Sequence, residues 1–259
     1  RDNLKMIKIG KIGLGKIPRI AITIADQEDN ELIKPALVDI LEIRVDRFKK
    51  TDPLYVRNVV KTRRKIGVPL ILTVRGKEEG GQKEISNELK LSIFKECMFL
   101  VDAVDIELRS PILAEVIKIA RKNKKVVIAS WHNFKMTPND KMLRDILNKA
   151  KSNGADLVKI AVKANKAEDL NRLIRFTMEN KSKNIITISL GKIGSISRLT
   201  FPGFGSLITY AYINRPSGSG QRTLDELREH LRVYYPIATK SKRVINKPKD
   251  RKNKEVVLI

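Results

Sequence analysis

Eight short segments rich in valine and isoleucine recur along the chain, at 20–24, 40–44, 70–74, 104–108, 126–130, 157–162, 185–190 and 207–211. Most read as continuous apolar runs more than as alternating ones, the pattern of a parallel sheet covered on both faces. Amphipathic stretches lie between them, at 88–101, 112–123, 140–153, 167–180 and 223–234. Thr137-Pro138-Asn139-Asp140 supplies a helix start with proline near the first turn. Asn123 and the pair Asn153-Gly154 supply helix ends. Eight strands alternating with helices over about 250 residues predict an α/β fold, a (β/α)8 barrel. The rival, an open doubly wound sheet, needs a glycine-rich nucleotide loop after an early strand, and Ile24-Ala25-Asp26-Gln27 is not one. Residues 4–17 alternate, carry glycines and precede the first barrel strand, so they predict a small hairpin over the barrel's N-terminal end. The expected organisation is a single domain over 1–236 followed by a basic extension over 237–259.

Composition narrows the partners. The formal charge of +24 attracts anions, and nucleic acid or a small carboxylate or phosphate would each qualify. The extension 237–259 carries a net +6, so most of the excess is spread along the rest of the chain. Aromatic residues make up 5%, with no basic stripe interleaved with stacking rings, and nucleic acid is not the expected partner. No apolar run reaches the 18 or so residues of a membrane-spanning helix, and the first residues lack the apolar segment of a signal peptide. A single cysteine, Cys97, excludes an intramolecular disulfide. The expectation is a cytoplasmic protein without a membrane partner.

Lys159 is the residue that invites a chemical reading. It stands inside the run Leu157-Val158-Lys159-Ile160-Ala161-Val162. A lysine in apolar surroundings tends to lose its charge, and a neutral lysine is a nucleophile toward ketones. The plainer reading is a side chain that points outward and snorkels to water. In a (β/α)8 barrel, function collects at the C-terminal ends of the strands. Those ends carry Glu42, Arg44 and Asp46, then Arg75 with Glu79 and Gly80-Gly81, then Asp105 and Glu107, then Ser130 and His132. After Lys159 follow Gly191 to Arg198, and then Ser217-Gly218-Ser219-Gly220-Gln221. Each has a plain alternative. Glu42 and Arg44 share one strand face and could form a structural ion pair. His132 could be structural, Gly80-Gly81 only a turn, and Gly191 and Gly194 either an anion nest or a turn. His230 sits in a charged helix pattern and Cys97 on an apolar helix face, so neither is a site candidate. The convergence of polar groups at nearly every predicted strand end favours a site.

Taken together, six motifs resemble those of the type I 3-dehydroquinate dehydratases, in that family's order. They are Glu-x-Arg-x-Asp at 42–46, Arg-x-x-x-Glu-Gly-Gly at 75–81, Ser-x-His-x-Phe at 130–134, Lys-Ile-Ala at 159–161, the Gly-x-x-Ser-Arg ending at Arg198, and Ser-x-x-Gly-Gln at 217–221. The resemblance runs from about residue 5 to 236. It implies a (β/α)8 barrel, commonly a homodimer, with no metal or organic cofactor, converting 3-dehydroquinate to 3-dehydroshikimate and water in the shikimate route. It implies Lys159 as the Schiff-base lysine, His132 as general acid and base that also assists imine formation and hydrolysis, and Glu79 as the group orienting His132. Arg198 would pair with the substrate carboxylate, while Glu42, Arg44, Arg75, Ser217 and Gln221 would hold hydroxyls and carboxylate, with Thr23 at a position that is serine in some members. Arg44 and Arg75 are expected to help keep Lys159 neutral. The loop here reads Ser-Gly-Ser-Gly-Gln where the family commonly has Ser-Ala-Pro-Gly-Gln, which predicts a more flexible open lid. Two other readings compete: an aldolase-type Schiff-base barrel, which would lack the combination of His132, Arg198 and Gln221, and a basic nucleic-acid-binding protein on an inactive barrel.

Overall fold

The computed structural model describes residues 6–216, 218 and 220–235. A two-stranded antiparallel hairpin comes first, β1 (Lys8–Ile9) against β2 (Ile12–Gly13). Eight parallel strands follow: β3 (Arg19–Ile24), β4 (Ile40–Arg44), β5 (Leu70–Thr73), β6 (Ala103–Glu107), β7 (Val126–Asn133), β8 (Leu157–Lys163), β9 (Ile185–Leu190) and β10 (Ile208–Tyr212). A short β11 (Arg222–Thr223) pairs with β10, which in turn lies beside β3, so the sheet curls round in the order β10-β3-β4-β5-β6-β7-β8-β9. The remaining seam, between β9 and β10, is bridged by Leu207 N donating to Ile185 O at 2.9 Å and by the Ser206 hydroxyl, which accepts from Thr187 N and donates to Thr187 O. This is the barrel that the strand pattern predicts.

The connections are α1 (Pro53–Arg64), α2 (Asn87–Cys97), α3 (Leu113–Lys122), α4 (Asp140–Ser152), α5 (Ala167–Glu179), the single turn α6 (Gly191–Gly194), α7 (Ser197–Phe204) and α8 (Leu224–Tyr234). Local chemistry starts several of them. Asp52 accepts from Tyr55 N ahead of Pro53 in α1, Asn139 from Met142 N in α4, and Thr223 with Glu226 forms a reciprocal capping box in α8. The first crossover departs from strict alternation: between β3 and β4 the chain makes only one 3-10 turn, Asn30–Leu32.

The strands' apolar runs conceal an alternation. Outward positions such as Ile22, Ile43, Leu72, Val104, Val158 and Ile160 pack with the helices in one large core. Inward positions near the N-terminal ends of the strands form a second core of Ala21, Ile40, Ile71, Ala103, Ile128, Leu157, Ile186 and Ile208. Ile9 and Leu14, from and beside the hairpin, are fully or nearly buried in that same cluster and plug the N-terminal mouth. Each isoleucine or leucine among them contributes about 1.5–3 kcal/mol by leaving water. One inward step further along β3 to β8, the interior turns polar: Thr23, Glu42, Thr73, Asp105, Ser130 and Lys159 are all buried, while β9 still presents Ile188. The apolar plug is thus the floor of a polar cavity that opens at the C-terminal ends.

Candidate active site

Lys159 points into the barrel. Val158 and Ile160 face the helices, the pleat turns Lys159 inward, and only 5% of it is exposed, so it does not snorkel to water. Its Nζ donates to Glu42 Oε1 at 3.1 Å and to Asp105 Oδ2 at 3.0 Å, and it lies 4.3 Å from the centroid of the Tyr210 ring. Burial by itself would lower the lysine's pKa, but Asp105 and Glu42 outweigh it and hold the pKa above the ordinary value. Lys159 in the unliganded protein is therefore an ammonium. This corrects the expectation of a lysine kept neutral by Arg44 and Arg75: Arg75 does push the pKa down, but Asp105 and Glu42, each in direct contact with Nζ, outweigh it.

Arg75, on the interior at the end of β5, donates to Asp105 Oδ1 at 2.7 Å and to the Ser130 hydroxyl at 2.6 Å, and stands 3.3 Å from Glu107 Oε1. Arg44 grips Asp46 in a two-pronged pair at 2.7 and 2.8 Å. It does not form the ion pair with Glu42 that their shared strand face allowed. Glu42 instead takes Lys159 and Thr73 on Oε1, and the Thr23 hydroxyl on Oε2 at 3.3 Å. Asp105 is the residue whose importance its sequence position understated. It is fully buried between Lys159, Arg75 and Ser130, and burial, which would raise its pKa, is overcome by the two cations so that its carboxyl sits below the usual range. The sign was there to read, since Asp105 interrupts an apolar strand much as Lys159 does.

His132 lies within β7, which runs three residues beyond the predicted strand and carries the ring over the cavity. Glu79 Oε2 accepts from the His132 backbone N–H and contacts Nδ1, each at 2.9 Å. Burial, together with Arg75 and Lys159, pushes the imidazole well below its ordinary pKa, so it is neutral at pH 7. Burial likewise raises Glu79 to about 7. With Glu79 ionised, Nδ1 donates to it and the Nε2 lone pair faces the cavity. The turn carrying Glu79 (Lys77–Glu79) is set by glycines. Gly80 takes a left-handed φ of 86°, and a Cβ at Gly81 would lie 2.2 Å from the Arg75 carbonyl oxygen. Phe134 stacks on His132 with ring centroids 6.2 Å apart and closes one side.

Arg198, in the first turn of α7, completes the wall. It is 4% exposed, pairs with no carboxylate among the described residues, and its Nε has no hydrogen-bond partner. Burial lowers its pKa to about 10. An uncompensated buried guanidinium is costly, and it fits an anionic ligand. Gln221 sits at the rim with its Oε1 accepting from Gly218 N at 3.1 Å. Thr23, Glu42, Arg44, Arg75, Glu79, His132, Lys159, Arg198 and Gln221 all line one cavity that opens to solvent. Ser217 and Ser219, and with them the expectation about the lid, lie outside the described residues, as does the extension 237–259. Cys97 is core, its thiol pushed up to about 12 by burial, and His230 is exposed on α8, as expected for both. Among the described residues no cluster of three or more histidine, cysteine or acidic side chains could hold a metal ion.

Fold and cavity define a class: a (β/α)8-barrel enzyme with a buried lysine, a histidine held by a buried glutamate and a cationic wall suited to a small carboxylate. The type I 3-dehydroquinase family model matches residues 19–238, and the chain belongs to that family. The 3-dehydroquinate dehydratase of Hydrogenobaculum sp. is 38% identical over 219 residues, covering 84% of this chain and 99% of its own. The crystal structure of the type I 3-dehydroquinate dehydratase from Clostridium difficile superposes with a TM-score of 0.84 at 31% identity, over 90% of this chain and 99% of that one. Deoxyribose phosphate aldolase from Aeropyrum pernix, at 17% identity and a TM-score of 0.55 over 83% of this chain and 90% of its own, shares the fold alone. The activity is that of a hydro-lyase, 3-dehydroquinate dehydratase.

Proposed function

We propose that the dehydration proceeds through an imine on Lys159. The observation that carries this reading is the Lys159 ammonium, held by Glu42 and Asp105 at the base of a cavity that Arg198 faces with no counter-ion among the described residues. The substrate carboxylate would take Arg198, an arrangement that fixes the ring by a fork of parallel hydrogen bonds. The C3 ketone would then meet Nζ. On attack, two of the three ammonium protons leave with the carbonyl oxygen as water, and the third stays on the iminium. Positive charge is conserved at Nζ throughout, so Glu42 and Asp105 remain matched to a cation before and after the step.

The iminium draws electrons from the neighbouring C2–H bond. His132, neutral at pH 7 with Nε2 facing the cavity, is suited to take that proton and return it to the departing C1 hydroxyl, which leaves as water. Glu79 supports the imidazolium formed in between. Arg44 and Arg75, locked to Asp46 and Asp105, set the polar wall, and Thr23 holds Glu42 in place. Gln221 and Ser217 are assigned to the substrate's hydroxyls and carboxylate from the motif at 217–221. We also propose the homodimer and the cytoplasmic location that the family resemblance implies. No helix among the described residues is long and apolar enough to cross a membrane. The organisation as one dehydratase domain over 1–236 with a basic extension belongs to the same proposal.

Borohydride reduction in the presence of 3-dehydroquinate, followed by peptide mass spectrometry, tests the reading. The adduct is expected on Lys159 and absent from Lys159→Ala. His132→Ala should still accumulate adduct while losing most turnover, by about 10²–10⁴-fold. Near-normal turnover in His132→Ala would show that the base has been misassigned.

A further inference from the structure

Tyr210 is a buried ionisable group that the mechanism above leaves without a role. It projects inward from β10, is 2% exposed and lines the cavity, with the Lys159 Nζ 4.3 Å from its ring centroid. Among the described residues its buried hydroxyl has no partner within normal hydrogen-bond distance, and Lys159 is the donor that bears on it from farther off. A phenylalanine would fill the same space and avoid that unpaired hydroxyl, which destabilises the fold. The hydroxyl therefore answers to something other than packing, and the nearest chemistry is the nitrogen of the proposed imine.

We propose that Tyr210 is a catalytic residue whose hydroxyl carries protons from the Lys159 nitrogen to the substrate's carbonyl oxygen during imine formation. The proposal rests on the imine reading above. In the first step Nζ–H gives its proton to the phenol oxygen while the phenol O–H gives its own to the ketone oxygen, and the N–C bond forms. The product is a carbinolamine with a protonated nitrogen. In the second step the same exchange moves another proton from nitrogen to the carbinolamine hydroxyl. The C–O bond breaks, water leaves and the C=N bond forms. Tyr210 ends each exchange as the neutral phenol it was, the positive charge stays at Nζ over the ring face, and no outside acid or base is consumed. A ring already placed against the ammonium also suits the iminium, since both are cations.

The surroundings favour a phenol over the two carboxylates for this task. Burial raises the Tyr210 pKa against the pull of Lys159, with Glu42 and Asp105 adding to the rise, so no standing phenolate competes for the lysine. Asp105 is held below the ordinary range by Arg75 and Lys159 and is a poor proton carrier. Glu42 already accepts from Thr73 and Lys159 on one oxygen and from Thr23 on the other.

The test is Tyr210→Phe, which keeps the ring and removes only the hydroxyl, with Tyr212→Phe, outside the cavity lining, as the control. Tyr210→Phe should melt at or above the parent temperature, because the lost hydroxyl has no partner within normal hydrogen-bond distance. Rapid-quench borohydride trapping should show the Lys159 adduct forming ~10²-fold more slowly in Tyr210→Phe and at the parent rate in the control. With substrate deuterated at C2, the isotope effect on kcat/KM should fall toward unity in Tyr210→Phe, because imine formation then limits the rate. Equal trapping rates and an unchanged isotope effect in Tyr210→Phe would overturn the role of Tyr210 and leave the imine intact. Failure to trap any adduct on Lys159 in the parent protein would overturn the imine itself.

Discussion

Glu79 costs this fold stability, and the cost is set by pH. Its carboxyl is raised to about 7 from an ordinary 4.5, chiefly by burial and further by Glu107, against the opposing pull of Arg75, the His132 N–H and Arg109 at 4.0 Å. Between those two values the folded chain holds a proton on Glu79 that the unfolded chain has released. Stability contributed by this group must therefore fall as pH rises from 4.5 to about 7 and stay lower above it. The gap corresponds to about 3 kcal/mol. Glu79→Gln keeps an oxygen to accept from the His132 N–H and cannot titrate. Urea unfolding of the two proteins at a series of pH values, with equal m-values, reads the difference directly. The stability of Glu79→Gln relative to the parent should climb by about 3 kcal/mol between pH 4.5 and about pH 8. His132 is present in both proteins, so its own titration largely drops out. The same pair makes an activity statement: kcat/KM of the parent should rise through about pH 7 as Glu79 ionises, and the Gln variant should lack that inflection. A stability difference that is flat or falls with pH would refute the raised Glu79 carboxyl.

Arg198→Met should raise the melting temperature by removing an uncompensated buried cation. It should also lower kcat/KM by ~30-fold or more, the effect of losing a buried charge partner worth about 2–5 kcal/mol. Thermal unfolding and steady-state kinetics measure the two effects. Asp105→Asn should destabilise the fold by about 3–5 kcal/mol, since Lys159 and Arg75 lose a shared counter-ion, and should shift reaction of Lys159 with an amine-selective reagent to lower pH. Gly81→Ala should cost about 1–3 kcal/mol, because the new Cβ would press on the Arg75 carbonyl. It should also reduce turnover by displacing Glu79, both read by urea unfolding and turnover assays.

Much of the barrel was legible because eight β-branched runs and their amphipathic partners follow the periods of strand and helix. Helix α1 was harder to see. Its apolar stripe is thin, with Val56 and Val60 the fully buried apolar positions on an otherwise polar segment. The first crossover, reduced to one 3-10 turn, carries no helical period at all. Lys159 was legible as a polar residue in an apolar run, but its charge state was not. That state depends on Glu42, 117 residues away on a strand across the barrel, and on Asp105, 54 residues away. Which inward side chains meet inside a closed barrel is a property of curvature and register, and neither is written in local spacing. For the same reason the Glu42–Arg44 spacing suggested a pair that the structure replaces with Arg44–Asp46 and Glu42–Lys159. The motif order identified the family, while the unpaired Arg198 and the unused Tyr210 hydroxyl emerged only from the packed interior.

The central claim is that Lys159 becomes covalently bound to the substrate. Carbon-13 NMR of the protein with 3-dehydroquinate labelled at its carbonyl carbon observes that bond without chemical trapping. A bound resonance in the iminium range, present in the parent protein and missing from Lys159→Ala, is the predicted result. A labelled carbon that stays in the ketone or hydrate range while the protein turns the substrate over would contradict it.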